Sequence, residues 1–309
     1  MEKRRAISSL VLIVLAAFFW LLPSVGQAVT VDCDTGGKIQ DAIDAAEGRT
    51  LIDVSGTCNE NVYILEDKNR ITLDGGGVAI INGPDATLPT LSVRGRGIEI
   101  RNFNITGGTG IEVCRGGTAT RIENNIIENT GGGAGGGGIW VFDNGFAIIV
   151  NNTIQHNPGN GIGVGENSAA RIGFASYGDL VASPNTIQNN GGAGIIVIRS
   201  SSATIVGNII NDNVLGGVGV SRAAYAEIAN NTINNNGENG ILVFYNSGVH
   251  LGKDTGTGIF DLANTTTVKN TLWGIKCGLG GYVDGRRGSL KGKKGRITVG
   301  DGCIDSTIP

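Results

Sequence analysis

From Asn125 onward the chain repeats short runs in which aliphatic and polar residues alternate, separated by asparagine or glycine. An asparagine followed two residues later by an aliphatic recurs at Asn125/Ile127, Asn152/Ile154, Asn185/Ile187, Asn208/Ile210, Asn231/Ile233 and Asn270/Leu272, at spacings of 27, 33, 23, 23 and 39 residues. Nine residues after four of these asparagines stands a glycine (Gly161, Gly194, Gly217, Gly240) that opens GIGV, GIIV, GVGV or GILV. Gly138-Ile139-Trp140-Val141 follows the same plan, with four extra residues in its glycine loop. Period-two runs of three to five residues read as strands, and a unit of 23 residues has no room for a helix. A single coil of this kind cannot bury its apolar face, so the units must stack into a parallel β-solenoid.

In such a stack the asparagines are building positions. Asparagine tolerates the left-handed backbone of a tight turn, and identical amides placed coil upon coil can donate and accept along the axis. A second row, Asn157, Asn190, Asn213 and Asn236, recurs likewise. An amide has no accessible pKa and makes a poor acid or base. Insertions of about ten residues or more fall between Ile172-Gly173 and Asn185 and between Leu251-Gly252 and Asn270, at a comparable point of the coil, hence on one face. At the start, Lys38 to Glu47 puts Ile39, Ala42, Ile43 and Ala46 on one helical face, followed by Gly48 as a stop. This helix is expected to cover the bare first edge of the stack.

Composition adds a compartment. Basic residues in Glu2–Arg5, an apolar run Ala6–Leu22 and small residues Gly26-Gln27-Ala28 read as a cleavable export signal over 1–28; the alternative is a retained membrane anchor. Its loss removes three basic and one acidic residue and takes the net charge from −3 to −5. Five cysteines fit an oxidising compartment if Cys33 pairs with Cys58 and Cys277 with Cys303, which leaves Cys114 as a buried small hydrophobe. GRRGSLKGKKGR carries six basic residues from Arg286 to Arg296 and reads as a solvated tail.

GGKIQDAIDAAEG, SGTCNENVYI and ITLDGGGVAIING, followed by NNTI and GIxV units, resemble the right-handed parallel β-helix repeat proteins of the pectin-lyase-like superfamily. The resemblance covers Val31 to Cys303 and implies an all-β, right-handed, single-stranded parallel β-helix of roughly ten coils with a short N-terminal capping helix. The expected organisation is a cap and first strands over 29–70, repeats over 71–275, and a C-terminal coil and cap with the basic segment over 276–309. The shared positions are those that build coils, so fold is carried and chemistry is not.

Chemistry must then be sought on outward-facing side chains. With Ile139/Val141, Ile162/Val164, Ile195/Val197, Val218/Val220 and Ile241/Val243 inside, Trp140/Phe142, Gly163/Gly165, Ile196/Ile198, Gly219/Ser221 and Leu242/Phe244 face out. Trp140, Phe142, Phe244 and Tyr245 are the candidate sugar-stacking residues, the alternative being packing under a loop or against another copy. At the ends of the same strands run Asp143, Glu166, Arg199, Arg222 and Tyr245, one per coil. The first four are the candidate catalytic set if the protein, as the resemblance allows, is a lyase, epimerase or hydrolase of an acidic (uronate) glycan. Only under the lyase reading is Ca²⁺ expected, and calcium takes six to eight oxygens where two carboxylates align. A hydrolase needs paired acids, and beyond Asp143 and Glu166 no such pair is found. His156 and His250 lie outside zinc spacing and read as solvated turns, so no metal is expected. Gly131–Gly138 lacks the Lys-Ser/Thr of a phosphate loop and reads as a flexible turn, and the acidic body argues against nucleic acid. The preferred expectation is a secreted, periplasmic or cell-surface protein that binds polysaccharide or is structural, with no membrane span after cleavage and no cofactor.

Overall fold

The computed structural model describes residues 26–131, 137–252 and 258–309. Residues 1–25 of the expected leader and the centre of the glycine loop at 132–136 lie outside the described residues, and Gln27 and Ala28 belong to the first strand. A complete coil contributes one strand to each of three parallel sheets, as with Phe146–Val150 in sheet A, Thr153–Gln155 in sheet B, Ile162–Val164 in sheet C, and Ala169–Ile172 in sheet A again. Sheet A has twelve strands, sheet C ten and sheet B eight, each ordered by coil. The stack therefore has about twelve turns where the repeats suggested ten. The added turns come from the ends: sheet A runs from Gln27–Asp32 to Ile304–Ile308, through segments without the asparagine signature. The basic segment is likewise built into the last coils and is no tail: Arg286 ends a strand, Gly295–Val299 forms another, and Leu290 is buried.

The core is a column of aliphatics. Ile139, Ile162, Ile195, Val218 and Ile241 are paired in succession along sheet C, and all are buried, as are the valines two residues on. A coil closes only if its corners turn sharply, and two corners carry amide ladders. Between sheets A and B, the side-chain amide of Asn125 donates to Asn152 Oδ1, and the chain of bonds continues through Asn185, Asn208 and Asn231 to Asn264 at 2.9–3.1 Å. Between sheets B and C, Asn157, Asn190, Asn213, Asn236 and Asn270 do the same. Asn270 thus belongs to the second ladder, and Asn264 takes the sixth place in the first. The insertion that precedes Asn264 lengthened the spacing and hid the register.

The helix Ile39–Ala45 covers the first coil with Ile39 and Ile43 fully buried. Disulfides join Cys33 to Cys58 and Cys277 to Cys303, one near each end of the stack, and Cys114 is free and buried. No helix of the described residues is long and apolar enough to cross a membrane.

Candidate functional site

Strand alternation sends every second residue of sheet C outward, and three features gather there. The first is a strip of aromatic and aliphatic side chains. Trp140 lies across Gly163, where any Cβ would collide with the indole, and its ring centroid is 6.3 Å from that of Phe142. Ile196, Ile198 and Leu242 continue the strip past Gly219, beside a hollow of about 180 Å³. Phe244 closes it four rungs from Trp140, about 19 Å at 4.8 Å per rung. Lys276 Nζ sits 5.2 Å from the Phe244 ring centre, and Tyr245 stands edge-on to Phe244 at 6.0 Å. All four candidate stacking residues therefore share one face or its border.

The second feature is the corner that leads from sheet C to sheet A. Asp143, Glu166, Arg199, Arg222 and Tyr245 all adopt positive φ there, between 50° and 61°. Backbone bonds stack the turns: Asn144 N–H donates to Glu166 O, Asn167 to Arg199, Ser200 to Arg222, and Ala223 to Tyr245. Glu166 and Arg199 form an ion pair at 3.0 Å, while Asp143 accepts a hydrogen bond from Asn144. One of the two carboxylates is thus engaged by a guanidinium, and the remaining oxygens fall short of a calcium shell, so no step is drawn through that ion. The row extends further than the sequence suggested: Arg115 holds the same corner one coil earlier, with φ of 54° and Glu66 at 3.9 Å. The two insertions do not border this row. They leave from the corner between sheets A and B, across the width of sheet A.

The third feature was missed. Tyr63, Ser92, Glu112 and Trp140 are consecutive partners across sheet C, with Arg94 and Cys114 two residues past Ser92 and Glu112, just beyond the strand ends. Burial pushes the Glu112 carboxyl above its usual range, against the Thr109 hydroxyl and the Arg94 charge, which pull it down. Burial also raises Tyr63 and the Cys114 thiol, the latter against a hydrogen bond to Ser92, so Cys114 is protonated and inert at neutral pH. The Arg94 guanidinium lies 5.8 Å from the Tyr63 ring centre, and its Nε is buried without an acceptor. These coils precede the asparagine repeats, so alternation alone offered no register for them.

Elsewhere, His156 occupies an exposed turn as expected, whereas His250 does not. It stands mid-strand on the outer face of sheet A, with Nδ1 2.7 Å from Asp284 Oδ1. Among the described residues, three ligand-type groups come together at Cys33, Cys58 and Glu60, but the two sulfurs are bonded to one another.

Several known proteins are similar. The family model for a right handed beta helix region matches residues 171–269. A cell surface glycoprotein of Methanothermus fervidus is 32% identical over 95 residues, which is 30% of this chain and 16% of that protein. The periplasmic alginate epimerase AlgG, as a double mutant, aligns over 92% of this chain and 73% of its own at 14% identity and a TM-score of 0.44. An alginate lyase from Paenibacillus sp. aligns over 92% of this chain and all of its own, at 13% identity and a TM-score of 0.43. These structural likenesses carry no argument about activity. The matched segment and the parallel coils on either side of it make this chain a right-handed parallel β-helix repeat protein.

Proposed function

We propose that this is an exported, cell-surface β-helix protein that binds polysaccharide along the outer face of sheet C. The carrying observation is the Trp140 indole seated in the space that Gly163 leaves open, at the head of an apolar strip that reaches Phe244. Sugar rings stack on such faces through their C–H bonds, and a strip of about 19 Å offers several successive seats. Arg199 and Arg222, one per coil along one border, favour carboxylate-bearing sugars. Two disulfides fit an oxidising compartment, and the relative named a cell surface glycoprotein supports placement at the surface. Glycan-array binding followed by titration tests this reading. Trp140→Ala and Phe244→Ala are expected to weaken the best acidic ligand at least tenfold with the melting temperature held, and unchanged affinity in both removes the site.

A second reading has its own observation: the Glu112 carboxyl, whose pKa burial raises on the same face as Arg94 and Tyr63, has the character of a general acid. A uronate lyase, epimerase or hydrolase would use this group, or the Asp143, Glu166, Arg199 and Arg222 row. The ultraviolet absorbance of unsaturated uronate ends, followed on polymers that bind, reports lyase turnover. Binding without product sinks the lyase, and turnover unchanged in Arg199→Ala and Arg222→Ala acquits the row.

A further inference from the structure

The outer face of sheet A carries a second set of convergent groups that the sheet C reading leaves unused. Along one row Glu227, His250 and Asp284 are direct partners in successive strands, and along the row beside it Tyr225, Gly248 and Tyr282 are partners in the same strands. Asp284 is held at both oxygens: Oδ1 lies 2.7 Å from His250 Nδ1, and Oδ2 accepts the Tyr282 hydroxyl at 2.7 Å. Those bonds fix the imidazole and the Tyr282 ring, and Nε2 has no hydrogen-bond partner among the described residues. Glu227 and the Tyr225 hydroxyl have no hydrogen-bond partner among the described residues, although Glu227 is only half-exposed.

Between the two tyrosines the chain has placed no side chain. A Cβ on Gly248 would lie 3.1 Å from Tyr225 Cδ2 and 3.9 Å from Tyr282 Cδ1, so the two rings stand on either side of a slot one side chain wide. Glu227 and Asp284 stand in the row beside the tyrosines, with Asp284 bonded to the Tyr282 hydroxyl, and burial together with these two charges raises the Tyr225 pKa. The insertions come close to this face one strand earlier. The two insertions meet through Phe174 and Phe260, whose ring centroids are 4.9 Å apart, and the first reaches onto sheet A, where the Tyr177 hydroxyl lies 3.2 Å from Thr204 Oγ1.

We propose that this slot is a second saccharide subsite, selective for a pyranose without a carboxylate, either neutral or bearing an amine. The aromatic walls take the C–H faces of a sugar ring. Glu227 and Asp284 can only accept, so they are matched by ligand hydroxyl or ammonium donors and repel uronate, sulfate or phosphate groups. The two sheets would then read opposite classes of glycan, acidic on C and non-acidic on A, and one molecule could bridge two polymers.

Titration of the full chain with cellohexaose, glucosamine hexamer, N-acetylglucosamine hexamer, oligogalacturonate and choline tests the proposal. One of the first three is expected to bind, and oligogalacturonate to compete with none of it. Gly248→Val, which fills the slot from an ordinary strand conformation, and Glu227→Gln, which keeps its shape, are each expected to raise the dissociation constant at least tenfold. Trp140→Ala leaves this binding unchanged, so failure here is distinguishable from failure of the sheet C reading. No binding of the three sugars, binding of choline alone, or affinity unmoved in folded Gly248→Val and Glu227→Gln overturns it.

Discussion

Asn208 gives its side-chain N–H to Asn231 Oδ1 at 3.1 Å and its backbone N–H to the same oxygen at 2.9 Å. One amide oxygen therefore satisfies two donors of the coil below, while the Asn208 Nδ2 also reaches Ile172 O and Val206 O. Every interior member of the ladder gives both N–H groups to the next amide oxygen and its Nδ2 to at least one carbonyl, in a buried corner where a missing partner cannot be replaced by water.

Replacing Asn208 by leucine strands the two donors of Asn185 that end on its oxygen, and two carbonyls besides. At about 1–3 kcal/mol for each buried polar group left unpaired, partly relieved by relaxation, the expected loss is about 3–5 kcal/mol. Asn125→Leu should cost less, since a single donor, Phe103 N–H, ends on the Asn125 oxygen. Urea unfolding of the two variants checks the order, and equal losses would mean the ladder is not the source of the stability.

The glycines that open the sheet C strands have a separate cause. A Cβ on Gly217 would stand 2.5 Å from Ile233 Cγ2 and 2.7 Å from Gly240 O, inside contact distance of the next coil. Space rather than backbone conformation demands glycine here. Gly217→Ala is expected to destabilise by about 1–3 kcal/mol through overpacking. A thermal melt that matches the parent protein would show that the rungs can part at no cost.

Gln40 is the device that blunts the first edge of sheet C. Its Oε1 accepts from Tyr63 N–H at 2.8 Å and its Nε2 donates to Tyr63 O at 3.0 Å, which reproduces the backbone bonds of an absent neighbouring strand. Glu60 anchors the helix that carries it, accepting from Ile39 N–H and Gln40 N–H at 2.8 and 3.1 Å. Gln40→Ala is expected to cost about 1–2 kcal/mol and to speed amide exchange at Tyr63, with Ile195 in mid-stack unaffected. Gln40→Glu keeps the acceptor and loses the donor, so its exchange rate should fall between the two.

What the sequence disclosed follows from repetition. From Asn125 to Asn246 each coil is a near copy of the last, so the inward aliphatics, the outward strip from Trp140 to Phe244 and the corner row could be aligned by counting. Before Asn125 the counting fails for a visible reason: Phe103 occupies the ladder position, as Asn102-Phe103-Asn104-Ile105 compared with Asn151-Asn152-Thr153-Ile154. Phe103 is buried and ends the amide column with a hydrophobe. Glu112 and Arg94 lie in those unaligned coils. His250 and Asp284 are neighbours only because the second insertion separates their coils by 34 residues without separating them in space. No local pattern marks such a pair.

The pH dependence of stability should carry the signature of Glu112. Burial, the larger influence, outweighs the Thr109 hydroxyl and the Arg94 charge, so the folded protein holds this proton to higher pH than the unfolded chain does. Between the unfolded carboxylate value, about 4.3, and the raised folded value, the native state binds more protons, and stability falls as pH rises through that window. Above it the cost of a charged, partly buried carboxylate is fully expressed. Glu112→Gln removes the charge and keeps an oxygen for the Thr109 hydroxyl at 3.5 Å. The variant should melt higher than the parent at pH 7, and the gap should close as pH is lowered below about 4. A gap of constant size at every pH, or a variant that melts lower at neutrality, would show that Arg94 compensates the charge in full, and the general-acid reading of Glu112 would fall with it.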